Sequence, residues 1–294
     1  MLMIPDSLRD HLATQLDTSI EGCAAVSGGC IANGCRLETG QGSYFLKWGE
    51  ENVARTFPGE AAGLDALRRA AESISVPDVV ETEPPSDQRP GFLLLQWINA
   101  GRQGRRFWET FGRGLAEMHR STEKQYGFDR SNYIGRLPQE NDWEHDWITF
   151  FRKHRLEPQV ERARADDRWE AEWDEYLDAL FLNLSDLLPA QPPASILHGD
   201  LWKGNFMVTA TGEPAVIDPA TYYGHREADL AMTELFGGFD TRFYDAYNEA
   251  WPVEDGYETR RDVYNLYHLI NHLNHFGESY AGSVRKTLSA LATV

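Results

Sequence analysis

The stretch that decides the reading is Ile196-Leu197-His198-Gly199-Asp200-Leu201-Trp202-Lys203-Gly204-Asn205. Two aliphatic residues lead into a polar loop, and Phe206-Met207-Val208 then resumes a strand pattern. Downstream, Ala215-Val216-Ile217-Asp218-Pro219 is a second short apolar run that ends in a carboxylate. This spacing puts Asp200, Asn205 and Asp218 at neighbouring loop ends of one hairpin. Phosphoryl transfer calls for such a set: a carboxylate to orient the attacking hydroxyl and accept its proton, and an amide oxygen with a second carboxylate to hold magnesium against phosphates. Taken alone, Asp and Asn in such loops also serve as turn caps.

Two upstream features fit the same chemistry. Lys47 closes the strand-like Tyr44-Phe45-Leu46 and is the first of five lysines, at 47, 124, 153, 203 and 286. A strand lysine that contacts phosphates needs a helical glutamate to hold it, and Glu60 opens the next helical segment. Ser27-Gly28-Gly29-Cys30-Ile31 is a glycine turn between two strand-like segments. Its backbone amides are unobstructed and can cover phosphates, although a plain hairpin turn reads the same way.

Composition removes several alternatives. The chain has 294 residues, 28 Lys plus Arg against 46 Asp plus Glu, and a net charge of −18. That balance argues against nucleic-acid partners and anionic membrane surfaces, and it means that an anionic nucleotide must be held by local cations and backbone amides. The longest apolar run, Phe92 to Leu95, is too short to cross a bilayer. The N-terminal residues show no signal-peptide pattern, and Cys23, Cys30 and Cys35 match no zinc spacing. A cytoplasmic protein with reduced thiols is the expectation. No GxxxxGK[ST] loop, HExxH helix or GxSxG elbow is present. His268, His272 and His275 share a helical face, but no further ligand completes a metal site, so a half-buried aromatic face is preferred.

Periodicity outlines the architecture. Helices are expected at Asp6 to Leu16, Glu60 to Ala71, Phe107 to His119, Trp143 to Phe151 and Trp169 to Leu188, and over most of the chain beyond 225. Residues 22 to 48, Val79-Val80 and Phe92 to Ile98 read as strands. The fold class is therefore α+β, with a small sheet-rich lobe over residues 1–97 and a larger helical lobe over 98–294, and a cleft between them.

The run Leu197 to Trp202, together with Pro214-Ala215-Val216-Ile217-Asp218-Pro219-Ala220-Thr221-Tyr222-Tyr223-Gly224-His225-Arg226-Glu227-Ala228-Asp229-Leu230-Ala231-Met232, resembles the fructosamine kinase (ketosamine-3-kinase) family. Val26 to Ile31, Gly59 to Leu64, Asn132-Tyr133-Ile134-Gly135 and Glu234 to Phe239 support the resemblance, which runs across nearly the whole chain. Aminoglycoside and choline kinases share only the sparse catalytic pattern.

The resemblance implies a bilobal protein-kinase-like fold and ATP- and Mg2+-dependent phosphorylation of the 3-hydroxyl of a ketosamine, free or protein-borne. The 3-phosphate then eliminates and frees the amine, a deglycation repair. Another small hydroxyl compound, an aminoglycoside or a choline-like alcohol, is the alternative substrate. By motif, the resemblance makes Asp200 the catalytic base, with Asn205 and Asp218 on magnesium. Lys47, Glu60, Gly28 and Gly29 fall on the ATP phosphates, and Gln96, Trp97 and Ile98 in the adenine hinge. It makes Trp202 an aromatic floor for the sugar, His225 and Glu227 further substrate residues, and His198 and Asp229 supports of the catalytic loop. Cys30 becomes a redox-sensitive thiol, so the protein is expected to be a monomer or a redox-sensitive homodimer. Lys203 stands where the family often has a small residue, and a solvated loop lysine is its plainer reading.

Overall fold

The computed structural model describes residues 4–26 and 33–293. Gly28, Gly29 and Cys30 lie outside the described residues, and so does every expectation placed on them. A helix α1 (Asp6–Gln15) precedes three antiparallel strands, β1 (Ile20–Ala25), β2 (Asn33–Thr39) and β3 (Gly42–Gly49). A short helix α2 (Glu51–Ala54) and the longer α3 (Phe57–Ala70) follow, then β4 (Val79–Glu83) and β5 (Gly91–Gln96). The five strands form one sheet in the order β1-β2-β3-β5-β4. The expected helix at Glu60 begins one turn earlier, because Pro58 is well placed at a helix start, and this puts Glu60 in the first turn.

The sheet is covered on both faces. Under α1, Leu8 and Leu12 pack with Cys35, Leu37, Leu46, Trp48, Phe92 and Leu94 in a separate core. On the other face, Leu93 and Leu95 join Phe57, Leu64 and Leu67 of α3 in the main core, which continues into the large lobe. Alternation along β5 thus serves two cores from one strand, which explains its uninterrupted apolar run. Cys23 and Cys35 are joined as a disulfide across β1 and β2, whose antiparallel register brings their Cα atoms to 5.7 Å. The expectation of reduced thiols is corrected at these two positions.

The large lobe begins with α4 (Phe107–His119), as its periodicity predicts. Then come β6 (Thr122–Glu123), the hairpin β7 (Asn132–Ile134) and β8 (Leu137–Gln139), α5 (Trp147–Phe151), a π-helical turn over Arg152–Leu156, α6 (Glu157–Ala165) and α7 (Trp173–Leu187). The four-residue aromatic spacing extends the expected helix back to Trp143, but the helix starts at Trp147, where the Asp146 carboxylate caps the Thr149 amide at 2.7 Å. Trp143 lies outside it, stacked on Tyr223. Strands β9 (Ala194–Leu197), β10 (Phe206–Val208), β11 (Pro214–Val216) and β12 (Tyr222–His225) carry the central segment. Helices α8 (Glu227–Leu235), α9 (Thr241–Ala250), α10 (Tyr257–Phe276) and α11 (Ala281–Leu291) complete the chain, with a 3-10 turn before α11. Among the described residues, no helix is long and apolar enough to cross a membrane.

Candidate active site

β10 and β11 pair antiparallel, with Asn205 immediately before one and Asp218 two residues beyond the other. β9 is buried along its length and delivers His198 to the head of the same loop. The loop is fixed from beneath by Asp229 in the first turn of α8. Its carboxylate accepts the backbone amides of His198 at 2.7 Å and Gly199 at 2.8 Å, and lies 3.2 Å from His119 Nε2. Burial pushes the Asp229 carboxyl up, but its hydrogen bonds from His119 and Gly199 outweigh this and hold it below the usual range. Gly199 has φ +81°, and a Cβ there would fall 2.1 Å from the Ala220 carbonyl oxygen, so only glycine fits. His198 is fully buried, with Nε2 2.9 Å from the Ile217 carbonyl, and burial keeps its pKa below the ordinary value.

Asp200 and Asn205 meet directly. Asn205 Nδ2 donates to Asp200 Oδ2 at 3.0 Å and to the Asp200 carbonyl at 2.9 Å. Burial pushes the Asp200 carboxyl up to about 7, opposed by the Asn205 hydrogen bond and reinforced by the nearby Asp218 and Asp229 charges. A carboxylate poised near neutrality suits a general base.

Lys47, near the end of β3, reaches across the cleft. Its Nζ donates to Glu60 Oε1 at 2.7 Å and to Asp218 Oδ1 at 2.5 Å, so α3, β3 and the β11 loop converge on one ammonium. Burial alone would depress the lysine, but the Asp218 and Glu60 charges raise it above its ordinary value. Asp218, conversely, is pushed up by burial and pulled further down by Lys47, to a net position below the usual range. Asp218 sits at φ +55°, a conformation an L residue rarely adopts. The Asp218 carboxylate and the Asn205 amide meet at this corner, with the Asp200 carboxylate beside them. That sparse set suits magnesium, which keeps several waters and takes further oxygens from phosphates.

Gln96 ends β5, and Trp97 and Ile98 lead on to Gly101, whose amide donates to the Val208 carbonyl at 2.9 Å. Trp202 is 38% exposed beside the catalytic loop and packs edge-on against Phe236. Lys203 is exposed, with Nζ 3.3 Å from the Gly237 carbonyl. His225 and Glu227, expected at the substrate, are not brought to the cleft. His225 is buried with Nδ1 2.7 Å from the Tyr264 hydroxyl, and Glu227 is fully buried in a two-bond pair with Arg260 at 2.6 and 3.0 Å. The reason is strand β12, which turns this part of the signature run into the core against β9. His119 and its partner Tyr247, 2.9 Å apart, complete the support under Asp229. Sequence reasoning missed both, since a helical His and Tyr far apart in the chain carry no local signal.

A buried lysine–glutamate pair that meets an aspartate–asparagine loop across a cleft is an arrangement that fits a phosphotransferase. An aminoglycoside phosphotransferase structure superposes with a TM-score of 0.68 at 15% identity over 98% of each chain. Residues 4–293 match the fructosamine kinase family, and the chain belongs to it. A probable ketoamine kinase of Synechocystis is 40% identical over 265 residues, 90% of this chain and 88% of its own. A chloroplastic protein-ribulosamine 3-kinase of Arabidopsis thaliana is 37% identical over 96% of this chain and 86% of its own. The crystal structure of a candidate fructosamine-3-kinase from Thermobifida fusca has a TM-score of 0.86 at 29% identity, covering 99% of this chain and 100% of that one. The protein is thus a kinase that uses ATP.

Proposed function

We propose that this chain transfers the γ-phosphoryl group of ATP to the 3-hydroxyl of a ketosamine, so that the phosphorylated sugar can eliminate and release the amine. The observation that supports this reading is the meeting of Lys47 and Glu60 from the small lobe with Asp218, Asp200 and Asn205 from the large lobe. On this reading residues 1–97 form the nucleotide-binding lobe and 98–294 the catalytic and substrate-binding lobe. The proposed setting is the cytoplasm, where ATP is available.

Asp200 orients the sugar hydroxyl and takes its proton as the oxygen attacks in line. Lys47, steadied by Glu60, holds the α- and β-phosphates. Asn205 and Asp218 would hold magnesium, which neutralises charge developing on the phosphates. Once the phosphates arrive, the Lys47 ammonium exchanges part of its contact with Asp218 for them. The half-exposed Trp202, backed by Phe236, offers the sugar an apolar face.

Lys47→Met should lower kcat/KM for ATP by about 100-fold with little effect on the acceptor KM. Steady-state kinetics with each substrate varied in turn checks this, and an unchanged ATP dependence removes Lys47 from the site. The acceptor is tested by offering ribulosamine, fructosamine, erythrulosamine, an aminoglycoside and choline with Mg-ATP. Turnover of a ketosamine with a 3-phosphate product and released amine is expected. Turnover of choline or the aminoglycoside alone would overturn the assignment.

A further inference from the structure

The stretch Asn132-Tyr133-Ile134-Gly135 is not used by the chemistry above, yet its first residue lies at a junction of all three catalytic segments. Asn132, Gln139 and Asn141 are buried together, 3%, 2% and 1% exposed. Asn132 Nδ2 donates to the Thr221 carbonyl at 2.8 Å, while its Oδ1 accepts from Gln139 Nε2 at 2.8 Å and Asn141 Nδ2 at 3.0 Å. Gln139 Nε2 spends its other proton on the Ala220 carbonyl at 3.0 Å. The cluster is oriented from behind: the Tyr267 hydroxyl donates to Gln139 Oε1 at 2.6 Å, and Arg155 Nη2 to Asn141 Oδ1 at 2.7 Å. Arg155 is fully buried and stacks 3.9 Å over the Tyr222 ring.

The two carbonyls that this cluster grips belong to the chain directly after Asp218. Ala220 in turn donates its amide to the His198 carbonyl at 2.9 Å and lies against Gly199, next to Asp200. The third contact is α3. A Cβ on Gly59 would come within 2.8 Å of Asn132 Cβ, and one on Gly63 within 2.8 Å of Thr221 Oγ1. The helix bearing Glu60 therefore rests on the same cluster with no intervening side chain.

We infer that Asn132 and Gln139 are positioning residues for phosphoryl transfer, setting Asp218 and the Asp200 loop relative to the helix of Glu60. A buried amide network with its donors and acceptors matched is rigid and admits one arrangement. Exchanging a donor for an acceptor at Asn132 puts a carboxylate oxygen against the Thr221 carbonyl and moves the segment behind Asp218.

The inference rests on the reading of Asp218 as the magnesium ligand, and the test separates the two. Asn132→Asp, Gln139→Met, Asp218→Asn and a remote core control, Val284→Ala, are assayed well below their melting temperatures. For Asn132→Asp and Gln139→Met, kcat should fall about tenfold or more and the magnesium needed for half-maximal rate should rise several-fold, with acceptor KM unchanged. Val284→Ala should lower the melting temperature alone. If both cluster variants keep kcat and magnesium requirement within about twofold of wild type while melting earlier, the cluster is merely structural and the inference falls. If Asp218→Asn leaves the magnesium requirement unchanged, the metal reading falls instead, and kcat alone decides the positioning role. Gln139→Met keeps the side-chain length and the Asn132–Thr221 contact, so it decides the matter if Asn132→Asp does not fold.

Discussion

Asp200→Asn should lower kcat by about 10²–10⁴-fold while leaving ATP affinity nearly unchanged. The amide keeps the size of the carboxylate and a lone pair for the sugar hydroxyl, but it cannot take the proton. The same group predicts the pH profile. With the carboxyl pushed up to about 7 in the free enzyme, kcat/KM should rise with pH and level off above that value. Below it, the rate should fall roughly tenfold per pH unit as the base is protonated. Stability should run the other way. The folded state holds the Asp200 proton more tightly than the unfolded chain, so wild type loses stability as pH climbs from about 4 to about 7. Asparagine has no such loss, so the variant should melt at or above wild type at pH 8, and this advantage should vanish near pH 4. Stopped-time assays and thermal melts across pH check all three expectations. Turnover within about tenfold of wild type would remove Asp200 as the base.

Glu227→Ala should destabilise the fold by about 3–5 kcal/mol, because it leaves the Arg260 guanidinium buried without the carboxylate that it hydrogen-bonds. For a chain of this size that is a fall in melting temperature of roughly 6–15 °C. Arg260 keeps its bonds to the Asp255 and Glu254 carbonyls at 2.7 and 2.9 Å, which neutralise none of its charge. The acceptor KM, measured below the melting point, should not change. The double variant Glu227→Met, Arg260→Leu should recover much of the loss, since two apolar side chains of similar volume leave no uncompensated charge. A raised acceptor KM with an unchanged melting temperature would return Glu227 to the substrate.

The contrast between these two carboxylates shows what the sequence makes legible. The meeting of Asp200, Asn205 and Asp218 is readable because it depends on local spacing around a short hairpin. The α4 limits were legible for a similar reason: an apolar stripe and flanking polar residues lie within one segment. The Glu227–Arg260 pair was not legible because its members are 33 residues apart, and strand β12 is fixed by pairing with the distant β9. The pairing of Cys23 with Cys35 depends on the register of β1 and β2, which the count of cysteines does not contain. The amide cluster around Asn132 was visible only as an unexplained motif, since its meaning lies in contacts to Thr221, Ala220 and α3.

The division of the small lobe into two cores has a consequence for how the molecule breathes. Leu8 and Leu12 of α1 and the seven buried sheet residues beneath them make a shallow layer of their own, whereas α3 and the opposite face of β5 join the core of the large lobe. In amide hydrogen exchange, α1, β1 and β2 should therefore open as a low-energy unit while α3, α4 and β5 exchange only on global unfolding.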